Sequence, residues 1–165
     1  SDEEQTATLE RAAHEAVGGP LTLLVNSAST FEDDTALQHS RQNWDFHMGP
    51  NLRAPVLLAQ HFARALPQEE AGLIINMIDM RVLKLNPLFF TYTLAKSALW
   101  TATRTMAQSF APNIRVNGIG PGPTLENVHR KPGEIAAEAQ ATLPQHGSTP
   151  GEIVKTLSPL ENAVA

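Results

Sequence analysis

Three short, nearly continuous apolar runs constrain the fold of this chain more than any other feature of its sequence. They span residues 21–26, 72–78 and 114–119, and turn residues bound each of them. Runs of this length and composition are typical of strands that helices cover on both faces of a parallel sheet. Because segments with helical spacing separate the runs, the sequence predicts an α/β fold built on a doubly wound parallel sheet.

The helical segments complete this pattern. Apolar or small residues recur at helical spacing over residues 6–17, and further helices are predicted at about residues 51–66 and 92–110. Beyond residue 123 the sequence predicts a helix near residues 132–143, a break at 144–150 and a short helical tail. A chain of 165 residues without an internal repeat has the length of one domain, so we expect residues 1–165 to form a single unit.

Charge and composition argue against several kinds of partner. The net charge is -5, and no cluster of Lys or Arg provides the basic surface that nucleic acid or an anionic membrane needs. The apolar runs are far shorter than the ~20 residues of a membrane span. With no cysteine and no close pair among the six histidines, we expect no metal site. The polar, acidic start carries no visible secretory signal, so we expect a cytoplasmic protein.

Tyr92 and Lys96 are the strongest candidates for a catalytic pair. They lie four residues apart in a predicted helix and therefore share one face. A tyrosine near its reference pKa of ~10 exchanges protons poorly at neutral pH, and a neighbouring ammonium group stabilises the phenolate and lowers that pKa. The same spacing also arises by chance, in which case the Tyr ring only packs on the Lys stem.

Together with its surroundings, this pair resembles the active site of the short-chain dehydrogenase/reductase family. Segment 26–29 is similar to the family's Asn-Asn-Ala-Gly segment, Asn51 matches its helix asparagine, and stretch 117–122 is similar to its Gly-Pro-Gly turn. The likeness covers nearly the whole chain and implies a Rossmann-like fold, a small-molecule substrate and NADP, or else NAD, as cofactor. It implies Tyr92 and Lys96 as catalytic residues and Asn51 as the holder of a water in a proton relay. The residues that it implies at the cofactor are Asn26, Ser27, Ala28, Ser29, Tyr92, Lys96, Pro121, Gly122, Pro123 and Thr124.

Asp79 departs from the common pattern of that family. Most members have a serine thirteen residues before the tyrosine, where this chain has Asp79. An ionised carboxylate only accepts hydrogen bonds, so it cannot polarise a carbonyl as a serine hydroxyl does. The pteridine reductase branch also has an aspartate there, and segments 75–79, 90–96 and 116–122 resemble that branch most. This implies a pterin- or dihydrofolate-like C=N substrate, with Asp79 as a catalytic residue that orients substrate or relays a proton; the alternative is that Asp79 only caps its loop.

Two parts of a complete family member have no counterpart in the sequence. No glycine-rich turn for the pyrophosphate precedes residue 21, and the last strand is also missing, so we expect the chain to be part of a longer enzyme. The resemblance also implies a homodimer or homotetramer built on the helices at about 51–66 and 92–110. The residues expected at that interface are Val56, Phe62, Ala98, Ala102 and Met106.

Two other functions remain open from the sequence. One is a non-catalytic remnant that keeps the sheet and the interface helices and acts as a scaffold or binding module. The other is a reductase of simple carbonyl or alcohol substrates, which Asp79 disfavours. Saturable binding of NADPH distinguishes an enzyme from a scaffold, because the scaffold has lost the cofactor-binding half.

Overall fold

The computed structural model describes residues 3–122 and the backbone of residues 154–157, apart from the side chains at positions 3, 7 and 10. The elements in chain order are α1 (Glu3–Val17), β1 (Leu23–Asn26), α2 (Arg41–Met48), α3 (Ala54–Ala65), β2 (Gly72–Met77), α4 (Phe90–Ser109), β3 (Ile114–Pro121) and β4 (Val154–Leu157). A π-helical turn, Gly49–Arg53, joins α2 to α3, and a 3-10 turn, Met80–Val82, follows β2. Within these ranges no helix combines the length and the apolar character that crossing a membrane requires.

The strands form one sheet in the order β1-β2-β3-β4. The first three are parallel, and their register places Asn26 beside Asn76 and Ile75 beside Asn117. The three apolar runs of the sequence are therefore the three parallel strands, which confirms the predicted α/β class.

The strand β4 corrects one prediction. It runs antiparallel to β3, with Thr156 beside Ile119, in the region where the sequence predicted a helical tail. A helix this short gains little from its own hydrogen bonds, because nucleation is costly. The edge of β3 supplies a partner strand for its backbone instead.

The hydrophobic core lies on one face of the sheet. Ile74 of β2 and Val116 of β3 are fully buried there against α3 and α4. On the opposite face Leu23 and Val25 are 54% and 49% exposed. The sequence predicted that both faces of the sheet are buried. In the described residues this holds for the face that carries Ile74, because α3 and α4 pack on that side.

Two residues expected at a subunit interface lie inside the chain instead. Phe62 is 4% exposed and Met106 is 9% exposed, and both belong to the core cluster around Ile74. Each helix buries the apolar stripe that faces the strands, and these two side chains lie on that stripe. Val56 and Ala98 keep partial exposure, and oligomerisation stays a prediction.

Helix α2 was not predicted from the sequence. Ser40 caps its amino end: the Ser40 hydroxyl accepts from the Asn43 N–H, and the Asn43 side chain accepts from the Ser40 N–H. This reciprocal arrangement is a capping box with Asn in the place of the usual Glu or Gln. The helix matters for the site because it carries His47 and leads into the π-helical turn that contains Asn51.

Candidate active site

The carboxyl ends of the parallel strands bring most of the predicted site residues to one edge of the sheet. Ser27, Ala28 and Ser29 follow β1 and are exposed, whereas Pro121 and Gly122, at the end of β3, are partly buried. Ligands of parallel α/β sheets bind at this edge, so these residues lie where a ligand is expected. The predicted cofactor contacts Pro123 and Thr124, like the helix near 132–143 and the break at 144–150, lie outside the described residues.

Tyr92 and Asp79 meet at this edge. Tyr92 lies in the first turn of α4, and its hydroxyl donates to Asp79 Oδ2 at 2.9 Å. The other carboxylate oxygen, Oδ1, accepts from the backbone N–H of Arg81 at 2.8 Å and caps the short turn after β2. Asp79 thus forms the loop cap that the sequence left open as an alternative, and it contacts the predicted proton donor as well.

The pKa of Tyr92 corrects a second prediction. The sequence led us to expect that Lys96 lowers the pKa of this phenol. Burial raises the pKa of Tyr92 well above its usual value, and the charge and hydrogen bond of Asp79 raise it further, whereas Arg81 and Ser29 act in the opposite direction. Lys96 does not offset these effects, because its ammonium group lies 5.7 Å from the centre of the ring, whereas the Asp79 carboxylate accepts a hydrogen bond from the hydroxyl. Tyr92 is therefore protonated in this arrangement.

Lys96 is held by strand β2. Its ammonium group donates to the carbonyl oxygen of Met77 at 2.8 Å, and the residue is 2% exposed. Burial lowers the pKa of Lys96 to about 8, against an opposing effect from the Asp79 carboxylate. Lys96 is thus a desolvated cation within one helical turn of Tyr92.

Asn51 holds the loop after β1. It is fully buried in the π-helical turn, and its Oδ1 accepts from the Ser29 hydroxyl at 2.8 Å and from the Thr30 N–H at 3.0 Å. Its amide donates to the Thr30 carbonyl at 2.8 Å. Asn51 is therefore connected to Tyr92 through Ser29, which lies beside the phenol. The role in a water relay stays a prediction.

Asn26 belongs to a buried chain of hydrogen bonds across the sheet. Its side-chain amide donates to Asn76 Oδ1 at 2.8 Å, and the Asn76 amide donates to the Thr103 hydroxyl at 2.9 Å. Thr103 in turn donates to the Leu99 carbonyl at 2.7 Å. Asn26 is 7% exposed, so its side chain ties β1 to β2 and α4.

An aromatic cluster lies beside Tyr92, and it includes Phe31, which the sequence did not single out. The ring of Phe31 stacks on Phe89 at 4.2 Å and meets Tyr92 edge-on at 4.7 Å. The guanidinium of Arg81 lies 4.7 Å from the centre of the Phe89 ring. Phe31 could have been found from its position, because it follows the end of β1 by five residues and therefore lies near the edge where ligands bind.

A family model described as enoyl-(acyl carrier protein) reductase matches residues 1–160. The chain belongs to the short-chain dehydrogenase/reductase family, as its Rossmann-like sheet and Tyr92-Lys96 pair indicate. Among solved structures it is similar to FolM alternative dihydrofolate reductase 1 from Brucella suis in complex with NADP, with a TM-score of 0.78 and 46% identity over 85% of this chain and 57% of that one. The Brucella canis protein of the same name, also complexed with NADP, gives a TM-score of 0.75 and 45% identity over 86% of this chain and 56% of that one.

Among curated proteins the chain also has a relative that acts on a sugar acid. The 2-dehydro-3-deoxy-D-gluconate 5-dehydrogenase of Dickeya dadantii is 35% identical over 118 residues, which cover 70% of this chain and 46% of the relative. The chain thus spans about half the length of the relatives that it matches.

Proposed function

We propose that the enzyme to which this chain belongs is an NADPH-dependent reductase that acts on the C=N bond of pterin- or dihydrofolate-like substrates. The observation that carries the proposal is the 2.9 Å hydrogen bond from the Tyr92 hydroxyl to the Asp79 carboxylate. A carboxylate suits such a ring better than a hydroxyl does, because it accepts two hydrogen bonds from neighbouring N–H donors. The likeness to the two FolM dihydrofolate reductases supports the same substrate class.

Tyr92 acts as the acid in this proposal. Reduction of C=N adds a hydride to carbon and a proton to nitrogen, so the site must present a protonated group to the nitrogen. Burial and the Asp79 carboxylate raise the pKa of Tyr92, which keeps its hydroxyl protonated until the substrate nitrogen accepts the proton. Asp79 orients the substrate through its N–H groups and passes a proton taken up from solvent to the Tyr92 phenolate that proton donation leaves.

The described residues fit the nicotinamide end of the cofactor. NADPH would supply the hydride when bound. The exposed backbone of residues 27–29, the turn at Pro121 and Gly122, and the buried ammonium of Lys96 are the groups that would hold the nicotinamide and its ribose. No G-x-G-x-x-G motif occurs in the sequence, so we assign none of its residues to the pyrophosphate.

A dehydrogenase of sugar acids is the second candidate. It is favoured by the 35% identity to the Dickeya dadantii enzyme, whose reaction concerns an alcohol or a carbonyl. Asp79 argues against it, because an ionised carboxylate cannot donate a hydrogen bond to a carbonyl oxygen.

Two measurements on the intact enzyme test the proposal. Fluorescence titration should show saturable binding of NADPH, and NADPH oxidation should depend on added dihydrofolate or dihydropterin. An absence of saturable binding would favour the scaffold. If NADPH is oxidised only with sugar acids or ketones, the proposed substrate class is wrong and the assignment as a reductase stands.

A further inference from the structure

Helix α4, which carries Tyr92, begins at an apolar residue that cannot cap it with its side chain. This residue, Phe89, lies in the left-handed region at φ 56°. The loop after β1 caps the helix instead: Asp33 Oδ1 accepts from the Phe89 N–H at 3.3 Å, and Asp34 Oδ1 accepts from the Thr91 N–H at 3.0 Å. A negative charge at this end also interacts favourably with the helix dipole. The placement of α4 therefore depends on a loop 57 residues earlier in the chain.

Thr91 links this cap to a buried histidine. Its hydroxyl donates to Asp34 Oδ2 and lies 2.7 Å from His47 Nδ1. The backbone N–H of Glu32 donates to His47 Nε2 at 3.0 Å. Because a backbone amide only donates, Nε2 must be unprotonated, so His47 carries its proton on Nδ1 and donates it to the Thr91 oxygen. The hydrogen bonds thus run in one direction, from Glu32 through His47 and Thr91 to Asp34.

Burial gives this network its strength. His47 and Thr91 are fully buried, and Asp34 is 6% exposed. Burial lowers the pKa of His47, although the charges of Asp34 and Glu32 partly oppose that effect, and a neutral ring fits the tautomer that the Glu32 amide requires. Loss of the Thr91 hydroxyl leaves Asp34 Oδ2 and His47 Nδ1 buried without that partner, which costs more than a single bond contributes.

The network borders the site on two sides. Thr91 directly precedes Tyr92, and the His47 and Tyr92 rings lie 6.0 Å apart. Phe31, the residue before Glu32, meets the Tyr92 ring edge-on at 4.7 Å. The loop and the helix are thereby held together where the phenol contacts Asp79.

We propose that Asp34, Thr91 and His47 are positioning residues for the proton donor Tyr92. This inference rests on the proposed function, because that function requires the Tyr92 hydroxyl to be placed for proton donation. The three side chains hold the loop and the helix so that the Tyr92 hydroxyl stays at Asp79. A displacement of ~1 Å in a reacting group costs about 10²-fold in rate, so residues outside the reacting set control turnover in this way.

Thr91→Val is the direct test, because it removes the hydroxyl and keeps the shape of the side chain. In the intact enzyme we expect kcat to fall by about tenfold or more with a nearly unchanged KM for NADPH, and Thr91→Ser to restore most of the rate. Thr93→Val is the matched control, since the Thr93 hydroxyl is buried in the same turn and has no hydrogen-bond partner among the described residues. Equal kcat values for Thr91→Val and Thr93→Val would overturn the proposal.

A titration of Tyr92 gives a second readout that needs no turnover. Tyr92 is the only tyrosine in the chain, and Asp79, Arg81 and Lys96 are the charged groups near it. In the unmodified chain, tyrosinate absorbance should appear only with alkaline unfolding, followed by circular dichroism. In Thr91→Val it should appear while the chain is folded, because the phenol has left Asp79. If the Thr91 hydroxyl only stabilised the fold, Thr91→Val would unfold at a lower pH, and tyrosinate absorbance would still appear together with unfolding. That result would contradict positioning whether or not the proposed reduction occurs.

If Thr91→Val does not fold, nitrogen NMR of His47 in the unmodified chain tests the hydrogen-bond network on which the proposal depends. The proposal requires a neutral ring with its proton on Nδ1. A proton on Nε2, or titration at the ordinary pKa of histidine, would break the direction of the network and overturn the proposal.

Discussion

The ammonium group of Lys96 lies 5.7 Å from the centre of the Tyr92 ring and donates a hydrogen bond to the Met77 carbonyl at 2.8 Å. Strand β2 therefore fixes the position of this cation relative to the phenol. Because Lys96 is 2% exposed, the charge is costly in the described structure, and its pKa falls to about 8. A ligand with hydroxyl groups, such as a ribose, would satisfy the donors that Met77 leaves unused.

The buried charge of Lys96 should make stability depend on pH. Its pKa is about 8 in the folded chain and 10.5 as the ordinary value, so the unfolded chain binds more protons between these two pH values. Stability then rises with pH across that window, and the penalty is fully present below it. We expect Lys96→Met to lack this rise, so that the unmodified chain gains up to about 3 kcal/mol relative to the variant. Urea denaturation of both proteins at several pH values measures the difference, and parallel stability curves would contradict a lowered pKa.

Tyr92→Phe tests the assignment of the proton donor. The variant keeps the ring that packs on Phe31 and loses the hydroxyl that donates to Asp79. In the intact enzyme we expect turnover to be abolished and NADPH affinity to stay nearly unchanged, because proton transfer by a placed group contributes roughly 10²–10⁴-fold. Retention of more than about a tenth of the rate would refute the assignment.

Asn76→Ala tests the buried amide chain that ties the sheet to α4. The change leaves the Asn26 amide and the Thr103 hydroxyl without Asn76 as a partner in the interior. We expect a loss of about 2–3 kcal/mol in the free energy of unfolding, measured by urea denaturation. The control is Asn113→Ala, which removes an exposed hydrogen bond to the Gln68 carbonyl and should change stability by less than about 0.5 kcal/mol. Similar losses for the two variants would mean that the buried chain adds nothing to stability.

The sequence predicted the parts of the fold that follow from local pattern. The apolar runs at 21–26, 72–78 and 114–119 became three parallel strands, because short apolar runs that alternate with helical segments favour parallel pairing in one sheet. The strand β4 could not be predicted in the same way, since four residues carry no clear period and pair only because the edge of β3 is nearby. The helix α2 was missed because its amphipathic pattern is weak and its capping box uses Asn43 rather than Glu or Gln.

The candidate site was predictable where one motif carries it. Tyr92, Lys96 and Asp79 come together as their spacing and strand positions implied. The direction of the shift in the Tyr92 pKa was predicted wrongly. The sequence does not show that Asp79 accepts a hydrogen bond from the phenol, while Lys96 donates to the Met77 carbonyl. His47 is one of six histidines for which the sequence predicted no metal site, and it is fully buried. Its hydrogen bonds depend on groups 15 and 44 residues away, which no local pattern reveals.

Asp79→Ser tests the central claim, that the carboxylate beside Tyr92 selects a pterin-like substrate. A serine hydroxyl can donate to a carbonyl oxygen, whereas a carboxylate pairs with the N–H donors of an amino-pteridine ring. Loss of such a charge-assisted contact should cost roughly 1.5–3 kcal/mol, or about ten- to a hundred-fold in kcat/KM.

The measurement is kcat/KM of the intact enzyme and of Asp79→Ser with NADPH, using dihydropterin or dihydrofolate and, in parallel, a simple ketone. We expect Asp79→Ser to lose about ten- to a hundred-fold on the C=N substrates and to gain relative activity on the ketone. Equal kcat/KM values of the two proteins on dihydropterin and dihydrofolate would contradict the claim.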